Sequence, residues 1–260
     1  MVDTVNLDSQ EVSPTNKLIV ALTGYADGGG VVTYSVSYLS KWLCMKTMRT
    51  LSAEGFVDYA LNRPKTVIAE GVVKKISPLL YSFKTSNKGD TLLLTGPEPN
   101  VKWRTFIKMT LKFAKKLSCK LLCTLGGFID NVSEPKVSYV VADESLKDLV
   151  QDLNPITYEG PSSIYTLLLR RAKRYGINAV SLWVHIPYVV HTLLPQLGGV
   201  DYWSGYLLLR ALGSLMKLDL DLGEADELHK KFKKKLEVYR YALSQGSLSD
   251  LLSGPSKYIF

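Results

Sequence analysis

Apolar runs bounded by Gly, Pro or Asn predict buried strands, and apolar residues at three- and four-residue steps predict amphipathic helices. The predicted strands are Leu18–Leu22, Thr66–Ala69, Leu79–Phe83, Thr91–Leu94, Leu121–Leu125, Val137–Val141 and Ala179–Trp183. The predicted helices are Val31–Leu43, Lys102–Leu117 (capped by Asn100), Glu144–Asp152, Ser162–Tyr175 and Trp203–Leu215. This alternation predicts a single three-layer α/β domain, with a mixed, mostly parallel sheet flanked by helices. A hairpin at Glu70-Gly71-Val72-Val73 supports the mixed sheet.

A different pattern begins at Glu224, where a long amphipathic helix is predicted to Leu243. Its apolar stripe is Leu228, Phe232, Leu236, Tyr239 and Leu243, with lysines mainly around the other side. Two interpretations stay open: the stripe packs on its own domain, or it meets another subunit. The predicted organisation is a loose arm at residues 1–16, a core domain at 17–222, this helix at 223–245 and a flexible tail at 246–260.

Composition and charge indicate a globular protein and not a membrane-spanning one. The chain has 260 residues, is 46% hydrophobic and 22% charged, and carries a net charge of +8. These values are ordinary for a globular protein. No apolar run approaches the roughly 20 residues that span a bilayer, and the N-terminus has no secretion-signal pattern. We therefore expect a cytoplasmic protein that does not bind membranes.

One basic helix face accounts for much of the positive charge. Arg104, Lys108, Lys112, Lys115 and Lys116 share one face of a helix within a segment that runs to Lys120 without an acid. A solvated outer face explains this pattern, and an acidic partner is the alternative. Because no aromatic residues interleave the basic ones as stacking platforms, the pattern disfavours single-stranded nucleic acid. A nucleic-acid-binding protein that uses the Arg104–Lys120 face stays a third interpretation, behind the two others.

The sequence offers few residues for metal binding or catalysis. Cys44, Cys119 and Cys123 lack metal-ligand spacing and are predicted to be buried, reduced thiols. His191 and His229 have no spacing for a zinc site either. We therefore expect no metal and no cofactor.

The strongest enzyme-like feature is the loop Gly24–Gly30, between a strand and a helix. Such glycines can turn backbone N–H groups toward an anion, or they can simply permit a tight turn and close packing. His185 follows a strand and can meet Asp27, Glu98 and Asp130 at the carboxyl edge of the sheet. A small-anion or nucleoside-binding enzyme that uses this loop and His185 is therefore the alternative function. No nucleophile elbow is present, and no complete catalytic set emerges.

Six segments in order resemble the proteasome assembly chaperones, in the form found in archaea and more distantly in bacteria. They are Gly24, Asp27, Gly29 and Gly30 in the first loop, Gly96–Asn100, Leu125–Phe128, Glu134–Val137, Tyr158–Pro161 and the strand Ala179–Trp183. The resemblance covers about Lys17 to Leu222. It implies a core similar to nucleoside phosphorylases and hydrolases, no enzymatic activity, binding to proteasome core-particle α-subunits, and a homo-oligomer or a paralogous partner.

The resemblance also suggests a role for the C-terminal tail. Some family members end in a hydrophobic residue, tyrosine and any residue, and this tail docks between α-subunits with its carboxylate held by a lysine. Here Tyr258, Ile259 and Phe260 place the tyrosine third from the end. This departure displaces the hydroxyl by about 3.3 Å along an extended chain. We predict that these three residues bind the partner, with a tail folded back on its own domain as the alternative.

Four aromatic residues are further candidates for a protein interface. Tyr188, Tyr202, Trp203 and Tyr206 are predicted in loops or at a helix start, where aromatic anchors suit binding surfaces. A place in the core is the alternative for each.

Overall fold

The computed structural model describes residues 16–244. Its strands are β1 (Lys17–Thr23), β2 (Lys46–Ser52), β3 (Lys65–Ala69), β4 (Val72–Ser77), β5 (Leu80–Thr85), β6 (Thr91–Pro97), β7 (Leu121–Asp130), β8 (Lys136–Val141), β9 (Asn154–Pro155) and β10 (Asn178–Pro187). Its α-helices are α1 (Val31–Trp42), α2 (Trp103–Lys116), α3 (Ile164–Ala172), α4 (Tyr188–Leu197), α5 (Tyr202–Met216) and α6 (Gly223–Ser244). Short 3-10 helices occupy Gly28–Gly30, Glu144–Val150 and Lys173–Tyr175.

Eight strands form one sheet in the order β2-β5-β6-β1-β7-β10-β8-β9. The central strands β6, β1, β7 and β10 are parallel, so their carboxyl ends meet at one edge of the sheet. Strands β2 and β5 pair antiparallel with their neighbours, whereas β8 pairs antiparallel with β10 and parallel with β9. The predicted mixed, mostly parallel sheet is confirmed.

Helices cover both faces of this sheet, which confirms the three layers. Apolar residues of α1, α4, α5 and α6 form a core on one face, and those of α2 and α3 form a core on the other. The central strands are buried on both sides, because β1 has Leu18, Ile19 and Val20 all at 0% exposure. Such continuous apolar runs are what parallel strands between two helix layers require.

Several predicted elements differ from those observed. The segment predicted as the helix Glu144–Asp152 is a 3-10 helix at Glu144–Val150. Asn100 does not cap α2; Lys102 is the N-cap residue, and the Asn100 Oδ1 accepts hydrogen bonds from the Asp58 N–H and the Asn62 Nδ2, both at 2.8 Å. Strand β7 also continues to Asp130 and does not stop at Gly126. Strands β2 and β9 and helix α4 were not predicted.

The β3–β4 hairpin is present but lies apart from the main sheet. Glu70 and Gly71 take positive φ angles of 53° and 75°, which the tight turn requires. The hairpin forms a two-stranded sheet of its own. The mixed character of the large sheet therefore comes from β2, β5 and β8.

Helix α6 packs on its own domain. Phe232 and Leu236 are 4% and 1% exposed and belong to the same core as α5. Helix α6 also contacts α4, and Lys233 Nζ lies 4.2 Å from the ring centroid of Trp203. Within residues 16–244, no helix is both long enough and apolar enough to cross a bilayer.

Candidate functional site

The carboxyl edge of the parallel strands gathers most of the predicted site residues. Strand β1 leads there into the Gly24–Gly30 loop, β6 into Glu98, β7 into Asp130, and β10 carries His185 two residues before its end. This is where α/β sheets usually bind ligands. Their hydrogen bonds divide these residues into three separate sets: Asp27 with α1, Glu98 with α3, and His185 with Asp130.

Asp27 closes the N-terminus of α1. Its Oδ1 accepts hydrogen bonds from the Val32 N–H at 2.8 Å and the Thr33 N–H at 3.1 Å, and its Oδ2 accepts one from the Thr33 hydroxyl. A carboxylate in this position satisfies the free N–H groups and complements the helix dipole. Burial raises the pKa of Asp27, and these hydrogen bonds oppose that rise. An incoming anion would have to displace Asp27, so this loop is poorly suited to bind one.

The glycines of this loop serve close packing. A Cβ on Gly28 would lie 2.7 Å from the Gly127 carbonyl oxygen, and one on Gly127 would lie 2.5 Å from Val31 Cγ2. The Gly127 N–H also donates to the Ala26 carbonyl at 2.8 Å. The loop therefore lies directly against β7, which accounts for glycines in both segments.

Acidic side chains lie at two further helix N-termini. Asp201 is fully buried at the start of α5, where its Oδ1 accepts from the Ser204 N–H at 3.0 Å and its Oδ2 from the Ser204 hydroxyl. Glu98 lies at the start of α3, where its Oε1 is 3.5 Å from the Ile164 nitrogen. Burial raises the pKa of both carboxyl groups. Acids of the chain itself therefore lie where phosphate binds in many α/β enzymes.

His185 meets Asp130 but neither Asp27 nor Glu98 in a hydrogen bond. Its Nδ1 is 2.7 Å from Asp130 Oδ2, and its Nε2 is 2.9 Å from Ser138 Oγ. Its hydrogen bond to Asp130 is the main reason that the pKa of Asp130 lies below its usual value. The order serine, imidazole, carboxylate is that of an acyl-transfer triad. Ser138, however, is 2% exposed within β8, which leaves its hydroxyl remote from solvent-borne substrate. The three side chains tie β7, β8 and β10 together.

Sequence reasoning missed Ser138 and Asp201. Ser138 joins His185 through the antiparallel pairing of β8 with β10, a long-range contact that no local pattern marks. Asp201 had a usable signal, because an aspartate immediately before an apolar helical pattern, which here begins at Tyr202, is a common N-cap.

Exposed tyrosines lie beside these closed helix ends. Tyr25 follows β1, Tyr188 follows β10, and they are 64% and 67% exposed. Tyr158, 63% exposed, interacts with Tyr25; partial burial first, and this contact second, raise the pKa of Tyr25. Of the four predicted aromatic anchors, only Tyr188 is exposed; Trp203 is buried at the start of α5, and Tyr202 and Tyr206 are partly buried.

The remaining candidates are the three cysteines, the possible metal ligands and the C-terminal tail. Cys119 and Cys123 are buried as predicted, and burial raises the pKa of the Cys119 thiol to about 11. The prediction for Cys44 was wrong: it is exposed, at φ 46° in the turn between α1 and β2. In the part of the chain that the structure describes, no three His, Cys, Asp or Glu residues group to hold a metal ion. Tyr258, Ile259 and Phe260 lie outside residues 16–244, so the predicted tail site stays a prediction.

The protein is therefore a three-layer α/β protein in which carboxylates of the chain lie at the N-termini of α1, α3 and α5. Its sequence matches the profile of the PAC2 family over residues 21–239. The chain belongs to the PAC2 family. None of the curated proteins compared with it matches its sequence.

Solved structures share this fold. A PAC2 family protein from Streptomyces avermitilis is 26% identical with a TM-score of 0.74, and the match covers 92% of this chain and 100% of that one. A proteasome-assembly chaperone homologue from Mycobacterium tuberculosis is 21% identical with a TM-score of 0.76, covering 85% and 94%. An archaeal proteasome activator from Pyrococcus furiosus is 18% identical with a TM-score of 0.65, covering 91% and 97%. The last two likenesses concern the fold alone.

Proposed function

We propose that this chain is a non-enzymatic assembly chaperone or adaptor that binds α-subunits of the proteasome core particle. Its PAC2 membership and the proteasome-related names of similar structures support this role. The observation that carries the proposal is the carboxyl edge of the sheet. There Asp27 occupies the N–H groups that an anionic substrate would use, while Tyr25 and Tyr188 stand exposed. Exposed aromatic residues on a rigid edge favour a protein partner.

The C-terminal tail is the proposed docking element. Deleting Tyr258–Phe260 is expected to abolish capture of the α-subunits of the same organism's proteasome, without lowering the melting temperature. A pull-down at moderate salt compares the intact chain, the deletion and a control Ser256→Ala variant. A second variant, Tyr25→Ala with Tyr188→Ala, tests the exposed edge.

Each outcome of this pull-down has a definite meaning. Capture by the intact chain and by the deletion would keep the partner and move the contact to the globular surface. No capture by either protein would contradict the proposed function. A melting temperature several degrees lower in the deletion would place the tail against its own domain, because about 1 kcal/mol shifts the melting temperature by roughly 2–4 °C at this size.

We further propose that the chain self-associates through the β3–β4 hairpin. Every residue of β3 is exposed, and so is every residue of β4 except Ser77. Its exposed aliphatic residues are Val67, Ile68, Val72, Val73 and Ile76, at 43% to 64% exposure. A two-stranded hairpin alone is marginal in water, whereas independent stability needs three or more strands with a hydrophobic face, or packing against a helix. Antiparallel pairing of β3 with β3 of a second copy would give four strands and place Lys65 beside Ala69, not beside another lysine.

Replacing Ile68 with lysine is therefore expected to convert the oligomer to a monomer. Sedimentation velocity at several protein concentrations measures the change. Because Ile68 is 64% exposed, the melting temperature of the monomer itself should not fall. Val238→Lys on α6 is the matched control, since Val238 is a similarly exposed aliphatic residue at 62%. Equal sedimentation of all three proteins would exclude the hairpin as the contact.

A further inference from the structure

A groove of about 390 Å³ lies between α5 and the segment that follows β8. Its volume falls within the roughly 300–1,000 Å³ of typical ligand pockets. Its apolar lining includes Val137, Leu149, Leu153, Leu207 and Leu215. Leu149 is 49% exposed, so the groove presents apolar surface to solvent.

Charged side chains also line this groove. Lys136 and Arg210 contribute two positive charges, against one negative charge from Asp152. Arg210 Cζ lies 5.7 Å from the ring centroid of Tyr206, a cation–π contact that holds the guanidinium near the groove. The groove therefore fits an apolar segment that carries an acidic group.

The chain itself contains such a segment within the 16 residues that follow Ser244. Leu248-Ser249-Asp250-Leu251-Leu252 combines three leucines with Asp250, the only charged residue between 245 and 256. We propose that residues 248–252 dock in this groove of the same chain, with the leucines against its apolar lining and Asp250 beside Arg210.

The end of α6 places this segment within reach. The Arg240 Nη2 donates a hydrogen bond to the Ser133 carbonyl at 3.3 Å, and Pro135, two residues further on, lines the groove. The three residues between Ser244 and Leu248 span up to about 14 Å when extended, counting four Cα–Cα steps.

The lengths of the groove and of the segment also agree. Leu207 and Leu215 lie eight residues apart on α5, which is about 12 Å at the rise of an α-helix. Five extended residues, with four steps between the first and the last, cover about 13 Å. Docking here also fixes the point from which Tyr258–Phe260 leaves the domain.

This inference is independent of proteasome binding and is tested without it. The full chain carries Cys44→Ser, which removes the exposed thiol, together with Ala211→Cys in the groove and Leu251→Cys. Oxidised glutathione is the oxidant, and it is reduced as the disulfide forms. The control pairs Leu251→Cys with Lys112→Cys, on α2 at the opposite face of the sheet. We expect a disulfide within one chain for the groove pair, at least tenfold faster than for the control.

Charge reversal tests the proposed ion pair. Arg210→Glu is expected to slow formation of the groove disulfide several-fold, and adding Asp250→Lys to restore it, as interacting charges require. A disulfide only between two chains would overturn the inference in favour of a second copy as the occupant. Equal rates for the groove and control pairs would also overturn it, as would a disulfide rate insensitive to Arg210→Glu.

Discussion

Replacing Gly127 with alanine is expected to lower the free energy of unfolding by about 2–3 kcal/mol, the upper range for overpacking a close-packed core. The new Cβ would lie 2.5 Å from Val31 Cγ2 and 3.2 Å from both the Gly28 carbonyl oxygen and Ile186 Cδ1. Val31 and Ile186 are fully buried, so neither side chain has free space to move into. Urea denaturation measures the loss of stability, and the dependence of the free energy of unfolding on urea concentration should stay unchanged.

A control and a rescue separate this clash from a general effect of alanine. In the control Gly213→Ala on α5, the new Cβ would lie 3.6 Å from Leu220 Cδ1, which is an ordinary contact. This substitution should be neutral or stabilising by up to about 1 kcal/mol. Val31→Ala destabilises alone, but combined with Gly127→Ala it should cost less than the sum of the two changes. A Gly127→Ala protein within about 0.5 kcal/mol of the parent would refute the close approach of the loop to β7.

The position of the glycine pair Gly126-Gly127 was recognised from the sequence, but its structural role was not. Gly126 and Gly127 predicted the end of a strand, yet β7 runs through them to Asp130. A Cβ on Gly126 would lie 2.4 Å from Trp183 Cε3, and Gly127 makes room for the loop after β1. Both neighbours are distant in sequence, so the reason for these glycines was not visible from local patterns.

Helices with strong periodicity were predicted well. Helix α2 was expected at Lys102–Leu117 and spans Trp103–Lys116, because its apolar stripe faces the core and its lysines face solvent. Strand β2 was missed because Lys46–Ser52 is an exposed edge strand with no alternation of buried and exposed residues. Edge strands that pair on one side only carry a weak hydrophobic signal.

The candidate site was predicted in position but not in function. The residues Asp27, Glu98, Asp130 and His185 do come from the ends of the parallel strands, as chain order and sheet topology require. Their partners depend on folding: Asp27 accepts hydrogen bonds from the helix that follows its own loop, whereas His185 hydrogen-bonds Ser138 on the neighbouring strand β8. Whether an acid serves as a base or as a helix cap is decided by such contacts.

Replacing Asp201 with alanine is expected to lower the free energy of unfolding by about 3 kcal/mol. Loss of an N-cap contributes roughly 0.5–2 kcal/mol, and leaving buried donors unsatisfied adds roughly 1–3 kcal/mol. The Ser204 N–H and hydroxyl both lose their acceptor, in a place where Asp201 and Ser204 are fully buried. Urea denaturation again gives the magnitude.

Two variants identify burial as the cause of this large effect. Asp143→Ala removes the same kind of cap, a carboxylate that accepts from the Ser145 N–H at 3.2 Å, and with it an exposed ion pair to Lys173, which contributes little. The Asp143 side chain is 34% exposed. Water can replace the lost acceptor there, so the expected loss is clearly smaller than for Asp201→Ala. Asp201→Asn keeps an acceptor for the Ser204 N–H and should retain most of the stability. Equal losses for Asp201→Ala and Asp143→Ala would show that capping alone, and not burial of the helix end, holds α5 in place.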